Sequence, residues 1–166
     1  MTSLATRRAA RALALQILYA GDGDADQDVG AAIAAWPSDF ELESAGEGRE
    51  LAHRLAEDAA RAGVAIDEKI TAASRNWRLE RMGRVDRNIL RLAVGELSAR
   101  PETPVRVVIN EAVELAKRFG TSDSPAFVNG LLDRIAATMG AALGRDRDAA
   151  AGPAAAAEPA GDEPTS

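Results

Sequence analysis

The runs 85–99, 105–119 and 125–139 repeat apolar residues at the helical period, and the breaker clusters "ARPETP" and "FGTSDSP" stop the chain between them. Phe119 ends one run with Gly120 placed as its C-terminal glycine, and Ser124 is positioned to cap the next, with Pro125 in its first turn. Helical runs also cover 29–36, about 47–62 and 65–82, so that with the N-terminal run the expectation is seven helices. Aromatic residues make up only 4% of the chain while alanine is abundant, so the core is expected to be Leu, Ile, Val and Ala packed closely between helices. That favours an all-α protein. At 166 residues and 46% hydrophobic content the chain suits one domain, residues 1–140, and "DAAAGPAAAAEPAGDEPTS" marks 141–166 as a low-complexity tail with little apolar surface, expected to be disordered. No internal repeat suggests a solenoid.

The stretch "RNWRLERMGRVDRNILR" places arginines at 75, 78, 81, 84, 87 and 91 in a chain of net charge -6. A spacing of three drifts by about 60° per step on a helix, so six such arginines would smear around one cylinder. Gly83 breaks the run, and Val85 and Asp86 open a second helix. On that helix Val85, Ile89, Leu92, Ala93 and Leu97 fall within a sector of about 140° that can face a core, with Arg84, Arg87, Arg91 and Ser98 opposite. Two readings stay open for the arginines: a solvated face with local Asp and Glu partners, or phosphate contact.

On the first helix Ala10, Leu13, Ala14 and Ile17 form one core stripe, and Arg8, Arg11, Leu15 and Tyr19 form another on the far side. The second stripe suits a surface that meets phosphate and an apolar partner, or one covered by a later helix. Charge is divided along the chain: residues 1–20 hold three arginines and no acid, whereas residues 21–60 hold eleven acids and two arginines. Salt screens distant acids within about 8 to 10 Å, so a local basic patch can still attract phosphate.

Several chemistries are excluded or disfavoured. With no cysteine there is no disulfide, thiolate metal site or thiol nucleophile, and the single histidine, His53, is expected at a surface or rim. "GDGDADQD" at 21–28 lacks EF-hand spacing, since Ile33 stands where the bidentate Glu belongs, and is expected to be a solvated loop. No phosphate-binding glycine loop, catalytic carboxylate pair or βαβ unit is recognisable, so no cofactor, metal or enzymatic activity is expected. No apolar run has membrane-spanning length and the N-terminus lacks a secretory pattern, which leads to a cytoplasmic expectation. In "INEAVELAKRFGTSDSPAFVNGLLDRI", Asn129 and Gly130 suggest a close helix contact and a polar side chain with a defined partner, while Phe127 either stacks on an unpaired base or packs under the preceding loop. The function classes left are an RNA-binding or protein-binding adaptor and a helical regulatory domain.

The runs "RRAARALALQILYA", "NWRLERMGRVDRNILRLA", "PVRVVINEAVELAKRFG" and "FVNGLLDRI", in this order, closely resemble the NusB family of bacterial transcription antitermination factors. The likeness covers most of residues 7–136. It implies two small helical bundles without catalysis, and binding of the boxA element of ribosomal RNA leader transcripts together with the small-subunit ribosomal protein NusE, within an RNA polymerase antitermination complex. Carried over by motif, Arg7, Arg8, Arg11, Asp123 and Phe127 would lie at the RNA, and Tyr19, Glu80 and Asp86 would face NusE. Some relatives self-associate through the RNA-binding face, so a homodimer is a further implication. A helical adaptor without direct RNA contact is the alternative. The chain departs from the family pattern at Gly95, where an aromatic often stands; a glycine there is expected to weaken the helix by about 1 kcal/mol relative to Ala.

Overall fold

The computed structural model describes residues 2–22, 47–75 and 77–150, without the side chains of residues 47 and 141–150. The described residues form α1 (Leu4–Gly21), α2 (Glu47–Arg61), α3 (Gly63–Ser74), a single 3₁₀ turn (Leu79–Arg81), α4 (Arg84–Ala99), α5 (Val105–Phe119) and α6 (Ser124–Ala150). The helix expected at 29–36, the remainder of the 21–28 loop after Asp22, and residues 151–166 of the expected tail lie outside the described residues.

α4 is the hub. It packs against α1 and α2, which also pack on each other, and against α3, α5 and α6, of which α6 touches both α3 and α5. The two small bundles thus share one helix. Ile89, Leu90, Leu92, Ala93 and Val94 of α4 are buried, and Val85 and Leu97 pack at the edge of the same core. Each large aliphatic side chain removed from water in this way contributes about 1.5–3 kcal/mol.

Small residues set the approach of α2 to α4. Ala52, Ala56 and Ala59 are buried on one face of α2, and a Cβ added at Gly95 would lie 3.0 Å from the Ala59 Cα and 3.1 Å from its Cβ. Gly95 is therefore a contact point between two backbones, and α4 runs through it unbroken. The expected weakening at this position is offset by close packing.

Helix ends follow local chemistry, with corrections. The Ser3 hydroxyl accepts the Thr6 N–H at 3.1 Å and caps α1. α4 ends at Ala99 before Pro101, and Pro104 precedes the first turn of α5. The expected helix 65–82 stops at Ser74, because the Trp77 N–H turns back to the Ser74 carbonyl at 3.2 Å and Arg75 adopts φ 50°. At Gly120 the backbone is extended (φ -91°), not left-handed; glycine is needed because a Cβ would stand 2.5 Å from the Ser124 Oγ. Ser124 does not cap α6 forward, since its Oγ accepts the Thr121 N–H at 2.9 Å. Gly130 makes no close helix contact, having no heavy atom within 4 Å of a Cβ placed there. α6 continues to Ala150, past the expected end at residue 139.

Candidate nucleic-acid interface

The three arginines of α1 do not share one surface. Arg7 and Arg8 are exposed, whereas Arg11 is buried. Arg11 donates from Nε to Glu96 Oε2 at 2.9 Å and from Nη2 to Glu96 Oε1 at 2.6 Å. This two-point pair locks α1 to α4 in the interior and removes Arg11 from the surface expected of it. Leu15, on the same stripe, is also buried, lying with Tyr19 along a groove completed by Val85 of α4 and Phe119 of α5. The second stripe of α1 is thus covered at its centre and open at its two ends.

At the open N-terminal end Arg8 grips Glu111 of α5, Nε to Oε2 at 3.0 Å and Nη2 to Oε1 at 2.8 Å. The Arg8 side chain stays 56% exposed while that of Glu111 is 8% exposed, so the acid anchors a cation that still faces solvent. Hydrogen bonding to Arg8 holds the Glu111 carboxyl below its ordinary value, against the opposing effect of burial, and the same bond raises the Arg8 pKa. Arg8, Lys117 and Arg118 border a groove between α1 and α5 whose walls include Ala12 and Leu115. Lys117 and Arg118 stand in the last turn of α5, where cations complement the helix dipole. Glu111 and Glu114 line the same groove, Glu114 pairing with Lys117 at 2.9 Å, so the rim carries three cations against two acids around Ala12 and Leu115, a modest positive excess that can meet a phosphate backbone.

The other open end carries different chemistry. Tyr19 is 41% exposed and eleven residues after Arg8, about 16 Å along the helix axis. The Arg84 guanidinium lies 4.3 Å from the Tyr19 ring centroid and donates to the Tyr19 carbonyl at 2.6 Å. Beside it Asp22 accepts from Arg87 Nε and Asn88 Nδ2, both at 2.8 Å, and pairs with Arg91 at 3.2 Å. Burial pushes the Asp22 carboxyl up, but the hydrogen bonds from Arg87 and Asn88 and the charge of Arg91 prevail and hold it below the ordinary value. Arg91 also makes a two-point bond to Asp67 of α3, at 2.8 and 2.9 Å. Arg87 and Arg91 are therefore paired, with acids that come from the end of α1 and from α3 and not from the local sequence, while Arg84 rests on Tyr19.

Glu80 is exposed on the 3₁₀ turn, and Asp86 is half-buried in the first turn of α4. The buried Asp86 Oδ1 has no hydrogen-bond partner among the described residues. The Tyr19 to Arg84 link places Tyr19 beside the start of α4, where Asp86 lies, while Glu80 stands on the preceding 3₁₀ turn in a hollow with Thr71, Arg78 and Arg81. Asp123 is exposed just before α6, and Phe127 packs partly against the core. Asn129 is exposed and reaches only Asp133, at 3.4 Å.

Sequence reasoning missed Asp22, Glu96 and Glu111 as the anchors of this surface. Glu96 carried a signal, standing one turn beyond Leu92 and Ala93 on the core stripe, where a charge requires a partner. Among the described residues no group of His, Asp and Glu could hold a metal ion, and no helix is long and apolar enough to cross a membrane.

The sequence profile of the NusB family matches residues 8–137. Transcription antitermination protein NusB of Sorangium cellulosum is 46% identical over 144 residues, spanning 87% of this chain and 100% of the relative. The protein of the same name from Anaeromyxobacter dehalogenans is 49% identical, spanning 84% of this chain and 94% of its own. Among solved structures, T. maritima NusB superposes with a TM-score of 0.69 at 34% identity, covering 82% of this chain and 92% of that one. A chain from the crystal structure of antitermination factors NusB and NusE in complex with dsRNA gives a TM-score of 0.71 at 28% identity, covering 80% of this chain and 97% of its own.

Proposed function

Since the chain belongs to the NusB family, we propose that it acts in transcription antitermination by binding the boxA element of ribosomal RNA leader transcripts jointly with NusE. The observation that carries this reading is its likeness, over 97% of that chain, to a component of a complex of NusB, NusE and dsRNA. The family is one of antitermination factors and not of enzymes. We place the activity in the cytoplasm, within an RNA polymerase complex.

The two open ends of α1 divide the work. Arg7 and Arg8, with Lys117 and Arg118 beside the α1/α5 groove, take RNA phosphates, and Asp123 and Phe127 at the start of α6 extend that contact. Tyr19, Glu80 and Asp86 receive NusE, the exposed Tyr19 ring and Glu80 carboxylate meeting it directly. Arg11 serves by fixing α1 through Glu96 rather than by touching RNA. Reversing Arg7 and Arg8 to Glu is expected to weaken boxA binding in fluorescence anisotropy and lower the salt slope by about 0.7 for each phosphate that is no longer neutralised. Unchanged affinity in the folded variant would remove the RNA assignment.

A second reading, an adaptor without RNA contact, draws support from the pairing of Arg8 with Glu111 and of Arg11 with Glu96, which leaves little unpaired cation on α1. Under it Asp86→Lys abolishes NusE binding while boxA RNA fails to bind the wild-type chain at any NusE concentration.

A further inference from the structure

Gly83 divides the arginine ladder into chemically different halves. On its C-terminal side Arg84 is held by Tyr19, Arg87 by Asp22, and Arg91 by Asp22 and Asp67. On its N-terminal side Arg75, Arg78 and Arg81 are exposed, and among the described residues none of them forms an ion pair. Between them Trp77 is 55% exposed. Three exposed arginines without an ion pair among the described residues, flanking an open indole in the sequence, are not accounted for by the packing of the core or by the surfaces assigned above.

The described residues on either side of this patch are tied to their neighbours. The Ser74 hydroxyl lies 2.7 Å from the Trp77 carbonyl and 3.0 Å from that of Thr71, the Trp77 N–H bonds the Ser74 carbonyl, and buried Leu79 pins the 3₁₀ turn to the core. Side chains three apart eclipse in 3₁₀ geometry, so Arg78 and Arg81 stand on one side of the turn, and they line one hollow together with Glu80 and Thr71 of α3. Arg75 is held at φ 50°, a conformation that an arginine keeps only where its surroundings impose it. Lys69 and Arg134 border a groove with Arg75 between α3 and α6 and carry the positive surface onward. The acids nearest in sequence are exposed Glu80, half-buried Asp86, exposed Glu68, and Asp67, which Arg91 already occupies.

We propose that Trp77 with Arg75, Arg78 and Arg81 forms a second contact for single-stranded RNA, apart from the α1 arginines, in which the indole stacks on a base and the arginines take the flanking phosphates. Single-stranded nucleic acid offers both a planar partner and regularly repeated negative charge, the combination that such surfaces use. An acidic peptide would answer the arginines and leave the indole with no planar partner. The proposal rests on the reading of this chain as an RNA binder, and it adds a sequence-tolerant grip on RNA beyond the specific element. Stacking on a fixed indole does not depend on base identity.

The test uses the full chain carrying Trp36→Phe, so that Trp77 is the sole tryptophan of the two in the sequence. A uridine octamer lacking any boxA sequence is titrated while tryptophan emission is followed. The expected result is saturable quenching, which the triple variant R75E/R78E/R81E should abolish. In the chain that retains Trp36, Trp77→Ala should weaken anisotropy-detected binding of the octamer at least about fivefold. No quenching by the octamer overturns the proposal even where boxA RNA and NusE bind normally. So does an emission change that follows NusE alone, or quenching that survives the triple variant and disappears in R7E/R8E. Quenching retained in R7E/R8E, where boxA no longer binds, supports two separate contacts.

Discussion

Arg8 and Arg11 are three residues apart on α1, and their environments give them opposite roles. Arg8 keeps its charge in solvent while Glu111 orients it; Arg11 is sealed against Glu96. Breaking a buried pair leaves an uncompensated charge inside, at a cost of about 3–5 kcal/mol. Glu96→Gln is therefore expected to lower stability by about that amount in urea unfolding, while Arg8→Ala, at an exposed side chain, changes it far less. Equal effects would contradict the division of roles. Acid sensitivity follows from Asp22 and Glu111, whose carboxyls are held below their ordinary values. Their contribution is complete above the unfolded carboxylate range of about 4 and is lost as pH falls through the lower folded values. Asp22→Asn should be less stable than wild type at neutral pH and show a flatter loss between about pH 5 and pH 2, measured by unfolding at each pH.

At the scale of the helix, two glycines that look alike in sequence are expected to behave oppositely. Both lie within helical runs, where Ala is favoured by about 1 kcal/mol. Gly130 has open space at its Cβ position, so Gly130→Ala should stabilise by about 0.5–1 kcal/mol. Gly95 faces the Ala59 backbone at 3.0 Å, so Gly95→Ala must push α2 from α4, and overpacking of about 1–3 kcal/mol outweighs the propensity gain. Melting temperatures of the two variants should move in opposite directions. The spans of α4 and α5 were legible because periodicity and the stops "ARPETP" and "FGTSDSP" are local signals. The end of α3 was not, because the Ser74 turn replaces good helix-forming sequence with a bend whose stability depends on Leu79 reaching the core. The partners of the α4 arginines were equally hidden: Asp22 and Asp67 are far along the chain from Arg87 and Arg91, and only tertiary packing joins them.

For the whole molecule, the net charge of -6 sets the problem that the proposed function must solve. The arrangement of α1, with Arg7 and Arg8 at one end and Tyr19 at the other, would hold the proposed RNA surface and the proposed protein surface about 16 Å apart on one helix. The resemblance of the motifs indicated which residues to consider, but it did not separate Arg11 from Arg8, since burial is a property of the packed α1, α4 and α5. With Arg8 already paired to Glu111 and Arg11 buried on Glu96, the α1 patch should bind RNA modestly alone. Docking of a basic partner beside the start of α4 would extend the positive surface, so that each ligand tightens the other. The most direct measurement is a calorimetric titration of boxA RNA into the protein with and without saturating NusE. The account predicts tightening of about 5- to 150-fold with NusE, corresponding to a coupling of about 1–3 kcal/mol, and its loss in Asp86→Lys. An RNA affinity that is the same in both titrations, or a coupling that survives Asp86→Lys, would contradict shared recognition by this chain and NusE.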